Sequence, residues 1–198
     1  MNPTIEKLLS QRVETIEQLE SLYGAPNPRS IDKEIDYISD HYRAFIEKSP
    51  FVLVATNGPE GLDCSPRGDP PGFMRVLDQK TVLMPDRRGN NRLDTLRNLV
   101  VDPRISLLFL IPGVGETLRI NGRADIVTDP ELRESFSIKG KVPATVIVME
   151  STNVAPPFGG IASACAQSVS RTRNPTAERS NWAIRFYPCH SCRSHQFC

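Results

Sequence analysis

Residues 50–73 read PFVLVATNGPEGLDCSPRGDPPGF, and this stretch carries the pattern that decides the fold. The run FVLVAT is short, apolar and rich in β-branched residues, which is typical of a strand. NGPEG is a turn signal and LDCS follows as a returning strand, so a β-hairpin is predicted. Three prolines and two glycines in CSPRGDPPGF then predict a rigid loop.

The same alternation of short strands and turn signals continues along the chain. Further strands are predicted at residues 74–78, 81–86, 104–111, 117–127 and 144–150. Apolar residues at helical spacing predict helices at residues 5–22, 30–48, 90–100 and 129–136. The predicted fold class is therefore mainly β, with about six antiparallel strands in a closed or partly closed barrel and with N-terminal and inserted helices.

The chain divides into three predicted regions. Residues 1–48 form a helical segment that packs on the barrel, and residues 49–150 form the barrel domain. Residues 151–198 are an atypical tail, because they contain no Leu whereas residues 1–150 contain sixteen. Either a frameshift near codon 151 or a disordered C-terminal end would explain this change in composition. The tail motif CHSCRSHQFC is too compact for the common zinc sites.

Composition excludes several classes of function. The formal net charge of +1 gives no reason to expect binding to nucleic acid. There is no apolar run of about 18 residues, and the N-terminus lacks the pattern of a signal peptide. We therefore expect a cytoplasmic protein that does not bind membranes. Cys64 is the single cysteine of the first 150 residues, so a disulfide framework is excluded there.

The loop after the predicted hairpin is the first candidate site. Ser65 and Arg67 stand where a strand ends, and a guanidinium with a hydroxyl and free backbone N–H groups suits a phosphate. In the alternative interpretation, Arg67 only pairs with Asp69 and braces the loop. Asp69 is expected to brace Arg67 or Arg75 rather than to act as a catalytic acid.

A second basic loop, PDRRGNNRLDTLRNL, follows another predicted strand. Arg87, Arg88 and Arg92 surround the start of a predicted helix, for which Asn90 or Asn91 is the expected N-cap. Basic residues at a helix N-terminus are unfavourable unless an anion offsets them. Two such loops predict one phosphate held from two sides, although a solvated capping loop explains the second one equally well.

No protein group stands out as a catalytic residue. The body of the chain has no evident nucleophile and base pair, and no cluster of His and Cys that would hold a catalytic metal. The phosphate-binding motifs GxxxxGK[ST] and GxGxxG are absent. If the protein is an enzyme, a bound cofactor is expected to supply the chemistry.

Three blocks of the sequence resemble a known family. FVLVATNGPEGLDCSPRGDPPGF, VLMPDRRGNNRLDTLRNLVVDPRISLLFLIPG and ETLRINGRADI are similar to the FMN-binding split-barrel family related to pyridoxamine 5′-phosphate oxidase, in its uncharacterised bacterial branch. The resemblance covers about residues 15–150. It implies a six-stranded antiparallel split barrel of Greek-key type and a homodimer with FMN at its interface.

The resemblance also implies a set of residues that bind the cofactor. Its first basic segment falls on Ser65, Arg67 and Gly68, and its second, a phosphate-binding turn, falls on three consecutive residues. The turn falls on Asn90, Asn91 and Arg92. The resemblance also places Asp86 beside the flavin and implies a contact with FMN from Thr117 of the other subunit.

The implied activity is that of an FMN-dependent oxidoreductase with an unknown small-molecule substrate and an electron donor such as NAD(P)H. Oxidation of pyridoxamine phosphate is not expected, because residues 151–198 lack the family's substrate-binding segment. Two alternatives stay open: a carrier or sensor without turnover that binds flavin, deazaflavin or haem, and an interaction protein whose basic loops are only solvated.

Overall fold

The computed structural model describes residues 2–24, 34–89 and 91–155, and the chain divides into the units 1–33 and 34–198. The first unit contains the helices α1 (Pro3–Leu9) and α2 (Ile16–Tyr23). The prediction of one continuous helix over residues 5–22 is wrong. Thr15 is extended and its side chain accepts the backbone N–H of Gln18, so it caps a second helix instead of continuing the first.

The second unit is built on one antiparallel sheet with the strand order β2-β1-β5-β6-β7-β4-β3. Its elements are α3 (Asp40–Lys48), β1 (Phe51–Gly58), β2 (Gly61–Gly68), β3 (Arg75–Val76), β4 (Thr81–Asp86), α4 (Asp94–Val101), β5 (Arg104–Leu110), β6 (Thr117–Val127), α5 (Pro130–Ser135) and β7 (Thr145–Ala155).

The predicted fold class is confirmed. The unit is mainly β, every strand pairing is antiparallel, and helices are inserted between strands as in a split barrel. Six strands have six or more residues, and the two-residue β3 raises the total to seven. The sheet is not closed. No helix in the described part of the chain is long and apolar enough to cross a membrane.

Several element boundaries differ from the prediction; β2, for example, extends to Gly68, into residues that were expected to form a rigid loop. The helix expected over residues 30–48 begins only at Asp40, because the Ser39 hydroxyl accepts the N–H of Tyr42 and caps it there. Ile35 instead exchanges two backbone hydrogen bonds with Val154. The last strand passes position 150 and ends at Ala155. Residues 156–198, with the Cys-rich motif, lie outside the described residues.

The two faces of the sheet differ in burial. Along β1 the buried residues are Val52, Val54 and Thr56, and the alternate residues are half-buried. The same alternation along β5 and β6 places one face of the sheet in the main core, together with Ile46 of α3 and Leu99 of α4. We call this side of the sheet the core face and the other side the outer face.

Gly122 on β6 is required by the close approach of β7. The pairing of β6 with β7 shifts register between Asn121 and Gly122, which is a β-bulge. A Cβ atom at Gly122 would lie 2.0 Å from the carbonyl oxygen of Glu150. Since that oxygen belongs to the backbone of the neighbouring strand, a larger side chain cannot be accommodated without moving the strand.

We expect Gly122→Ala to lower the free energy of unfolding by about 1–3 kcal/mol, because the added methyl group forces the two strands apart. Gly89→Ala is the matched control, since a Cβ atom there meets no described atom within 4 Å. Urea unfolding of both variants measures the difference. Equal stability of the two variants would contradict the close approach.

Candidate functional site

Three polar residues of β2 share the core face with apolar residues of β1. Thr56 pairs with Asp63, Val54 with Ser65, and Val52 with Arg67. Directly paired residues of antiparallel strands project to the same face of the sheet. Because Val52, Val54 and Thr56 are buried, Asp63, Ser65 and Arg67 line the core side of an edge strand. Each of these three is half-buried.

The N-terminus of α4 lies against this row. The helix follows Leu93, and no side chain caps it by a hydrogen bond. Asn91, which the sequence suggested as a cap, does not fill this role, because two further residues stand between it and the helix. Asn90, the other suggested cap, lies outside the described residues. Within the described residues, the first-turn N–H groups of the helix therefore have no capping side chain.

Hydrogen bonds join α4 to β2. Thr95, which is only 2% exposed, donates its hydroxyl to Oδ2 of Asp63 over 3.1 Å. The Ser65 hydroxyl donates to the same oxygen over 3.1 Å. Arg67 donates from Nη2 to the Thr95 hydroxyl oxygen over a longer distance of 3.4 Å. Arg67, Thr95, Asp63 and Ser65 thus form one connected cluster, which we call the β2–α4 cluster.

Arg67 is the cation of this cluster, and it makes no direct ion pair with a described residue. Its other hydrogen bond goes to the carbonyl oxygen of Pro66 over 3.2 Å. Within residues 34–89 and 91–155, no carboxylate oxygen lies within 4.0 Å of its guanidinium. A half-buried guanidinium without a contacting anion retains donors and charge for a ligand.

Asp69 does not brace Arg67 or Arg75, so that prediction is wrong. Asp69 accepts a 2.5 Å hydrogen bond from Nε of Arg87, and Arg87 also donates to the carbonyl oxygen of Phe136. Arg75 lies over the Phe136 ring and bonds to Ser135. Asp69 follows β2 and Arg87 follows β4, so this ion pair links the two strands that lie near opposite edges of the sheet.

The other two arginines of the second basic loop differ in their surroundings. Arg92 forms an ion pair of 2.7 Å with Asp94 in the first turn of α4, and both side chains are partly exposed to solvent. Arg88 is exposed. Asn91, which has a φ of 59°, adopts the left-handed conformation that helps successive N–H groups to converge on an anion. The loop therefore offers backbone donors and the exposed Arg88, since the guanidinium groups of Arg87 and Arg92 are held in ion pairs.

Asp86 stands at the end of β4 on the same side as Arg67. Burial raises the pKa of its carboxyl group, and the nearby Arg67 guanidinium lowers it by a smaller amount. Asp86 pairs across the sheet with Thr145, whose buried hydroxyl has no hydrogen-bond partner among the described residues. Among the described residues, this end of the barrel thus combines the Arg67 guanidinium without an ion pair, the Asp86 carboxyl with a raised pKa, and the Thr145 hydroxyl without a hydrogen-bond partner.

The structure brings together some of the predicted site residues but not all. Ser65, Arg67 and Asp86 meet at this end of the core face, and Gly68 is the next residue of β2, opposite Phe51. Asn91 and Arg92 lead into α4, which carries Thr95. Thr117 is separate: it pairs with Leu110 on the outer face, with β1 and β5 between it and β2.

Asp63 and Thr95 were missed as site residues. Asp63 lies two residues before Ser65 on a predicted strand, so the period of two already places both on one face. Thr95 was harder to predict, because its place at the start of α4 brings it to Asp63 only when the helix packs on β2. The row Asp63, Ser65, Arg67 was therefore visible in the sequence, and its contact with the helix was not.

The fold and the match to a family model agree on the class of this protein. An open antiparallel sheet with helices inserted between its strands is consistent with the split barrel of that family. Residues 38–162, more than half of the chain, match the model of the pyridoxamine 5′-phosphate oxidase family. The chain belongs to the pyridoxamine 5′-phosphate oxidase family, as the sequence blocks predicted.

Similar solved structures have low sequence identity. HupZ from Group A Streptococcus is 20% identical, covers 62% of this chain and 96% of its own, and has a TM-score of 0.51. General Stress Protein 26 from Bacillus anthracis is 11% identical, over 57% and 88%, with a TM-score of 0.45. An F420 reductase is 17% identical, over 61% and 98%, with a TM-score of 0.44. No curated protein matches the chain.

The raised pKa of Asp86 predicts a pH-dependent effect on stability. Folded Asp86 holds its proton more tightly than unfolded Asp86, so its ionisation destabilises the folded state as pH rises through the interval between the two pKa values. Asp86→Asn should therefore raise the melting temperature at neutral pH, and the gain should vanish below about pH 3, where Asp86 is protonated in both states.

Thermal unfolding followed by circular dichroism at several pH values measures this effect. Asp125→Asn, at an exposed position on β6, is the control for loss of one negative charge. A lower melting temperature of Asp86→Asn at neutral pH would show that attraction to Arg67 outweighs burial.

Proposed function

We propose that the protein binds FMN, with the phosphate held at Arg67, and that it acts as an oxidoreductase on an unidentified small substrate. The observation that carries this proposal is the half-buried Arg67 guanidinium without a carboxylate within 4.0 Å in the described residues. Leaving a partly buried charge uncompensated is costly, and a phosphate oxygen pair fits the fork of an arginine. The pyridoxamine 5′-phosphate oxidase family is compatible with this ligand.

The helix next to Arg67 supports the same ligand. The N–H groups of the first turn of α4 have no side-chain cap, and the dipole of the helix favours an anion at that end. Asn91 and Arg92 stand where the chain enters the helix, and Asn90 belongs to the same turn by sequence. Gly68 follows Arg67 at the end of β2 and pairs with Phe51, on the outer face of the sheet.

The bound flavin would supply hydride or electron transfer, and the protein would hold and orient it. Asp86 is the residue of this chain suited to keep a proton near the site, since burial favours its protonated form. The hydroxyl of Thr145 beside it has an unused hydrogen-bonding capacity among the described residues. No residue is assigned as a catalytic acid or base, because the substrate is not known.

We also propose that two copies of the chain pair through the outer face. Phe51, Leu53 and Ala55 of β1 present half-buried apolar side chains there, beside Leu108 and Leu110 of β5. An apolar strip of this kind on a sheet is typical of an interface. Thr117 lies on the same face and is separated from Arg67 of its own chain by β1 and β5, so a contact between Thr117 and a flavin held at Arg67 would have to come from a second copy.

Leu53→Asp should convert the dimer to a monomer, because it buries a carboxylate in the apolar strip. Size-exclusion chromatography with light scattering measures the mass. Leu77→Asp is the control, since Leu77 is 65% exposed outside the strip. If FMN lies at the interface, Leu53→Asp should also weaken FMN binding by about tenfold or more. An unchanged dimer would exclude the outer face as the interface.

Arg67→Ala tests the phosphate contact directly. We expect the dissociation constant of FMN to rise about 10- to 100-fold, because a charge-assisted hydrogen bond contributes about 1.5–3 kcal/mol. The affinity for riboflavin, which has no phosphate, should change little. Quenching of flavin fluorescence measures both constants. Arg123→Ala is the control, since Arg123 is an exposed arginine on β6, far along the sheet from Arg67.

The outcome separates the alternatives that the sequence left open. Equal FMN affinity of Arg67→Ala and the unmodified protein would remove this cluster from the site. Absence of FMN binding by the unmodified protein would favour an interaction protein. Bleaching of bound FMN by NADPH, with reoxidation in air, would support an oxidoreductase, and a flavin that stays oxidised would support a carrier.

A further inference from the structure

Asp63 occupies the centre of the β2–α4 cluster, where the proposed phosphate site would otherwise have its hydroxyl donors. We propose that Asp63 is a specificity-determining residue that weakens the binding of a phosphomonoester dianion relative to an uncharged ligand. This inference rests on the proposed function, because it concerns the same anion site. It assigns a role to a residue that neither the basic loops nor the family resemblance indicated.

The hydrogen bonds of Asp63 determine the direction of two hydroxyl groups. An ionised carboxylate only accepts hydrogen bonds, so the protons of Ser65 and Thr95 must both point at Asp63 Oδ2. Thr95 then turns a lone pair toward Arg67, which donates to it. In this arrangement neither hydroxyl donates to a ligand. Arg67 and the N–H groups of α4 remain as the donors of the site.

The charge of Asp63 acts in the same direction. Its carboxylate is half-buried, and within the described residues it makes no ion pair within 4.0 Å. A phosphate on the far side of Arg67 and Thr95 would therefore meet an uncompensated negative charge a few bond lengths away. Repulsion across such a distance in a partly buried site lowers affinity by about tenfold. A neutral ligand is not subject to this repulsion.

Asp63 does not pair directly with Arg67 in the described structure. Arg67 reaches the acidic residue only through the Thr95 hydroxyl, because its direct hydrogen bonds go to Pro66 and Thr95. The negative charge of Asp63 thus lowers the free-energy cost of burying the Arg67 guanidinium in part. The Asp63 oxygens do not occupy the N–H groups of that guanidinium. The site stays accessible to an anion but binds it less tightly than Arg67 alone would.

The test compares Asp63→Asn with the unmodified protein by titration calorimetry with FMN, riboflavin and inorganic phosphate. Asp63→Asn keeps the shape and one oxygen acceptor but removes the charge. We expect FMN and phosphate to bind about tenfold more tightly, and riboflavin to change less than about twofold. Asp125→Asn, which removes an exposed charge on β6, should leave all three unchanged.

Each outcome bears on one of the two proposals. If FMN binds both proteins with equal affinity, or binds Asp63→Asn less tightly, the role of Asp63 is overturned while the FMN site stands. If neither protein binds FMN, the proposed function fails, and the phosphate titration decides on Asp63: tighter binding by the variant supports it and equal or absent binding overturns it. Asp63→Ser is the second variant if Asp63→Asn does not fold.

Discussion

The register of the first hairpin is the constraint on which the site depends. Pairing of Val52 with Arg67 and of Val54 with Ser65 places polar side chains of an edge strand on the core face of the sheet. A shift by one residue would expose this row and bury Cys64 and Pro66 instead. Because the polar groups face inward, they must find partners, and the start of α4 supplies Thr95.

A second contact assembles the site from distant strands. β2 and β4 stand at positions one and six in the strand order, so the sheet alone does not bring them together. The ion pair between Asp69 and Arg87 connects the segments that follow these strands, and both side chains are less than one-third exposed. As a result Asp86 lies close enough to Arg67 for the guanidinium to affect its pKa.

The two faces of the sheet divide the predicted site. The core face carries Ser65 and Arg67, whereas Thr117 lies on the outer face with Leu53 and Leu108. One chain therefore presents a polar cluster on one side and a mixed apolar strip on the other. A site that uses both sides requires a second copy, which is why the proposal of a dimer and the proposal of an FMN site are connected.

The sequence by itself determined the class of the fold, its strands and the two basic loops. These features are local, because they rest on the alternation of apolar residues, on turn signals between short strands and on long matching blocks. The strand at residues 117–127, for example, was predicted with its observed bounds. Boundaries set by a capping hydroxyl, at Thr15 and Ser39, were less evident, because any of several serines and threonines could serve.

Only the tertiary structure decided which charges are paired. Asp69 has three arginines within reach along the sequence, and the packing of the segments that follow β2 and β4 selects Arg87 over Arg67 and Arg75. Thr95 and Asp63 are 32 positions apart, and they meet because α4 packs on β2. Ion pairs and buried hydrogen bonds depend on distances of a few ångströms between remote segments, and sequence spacing does not contain them.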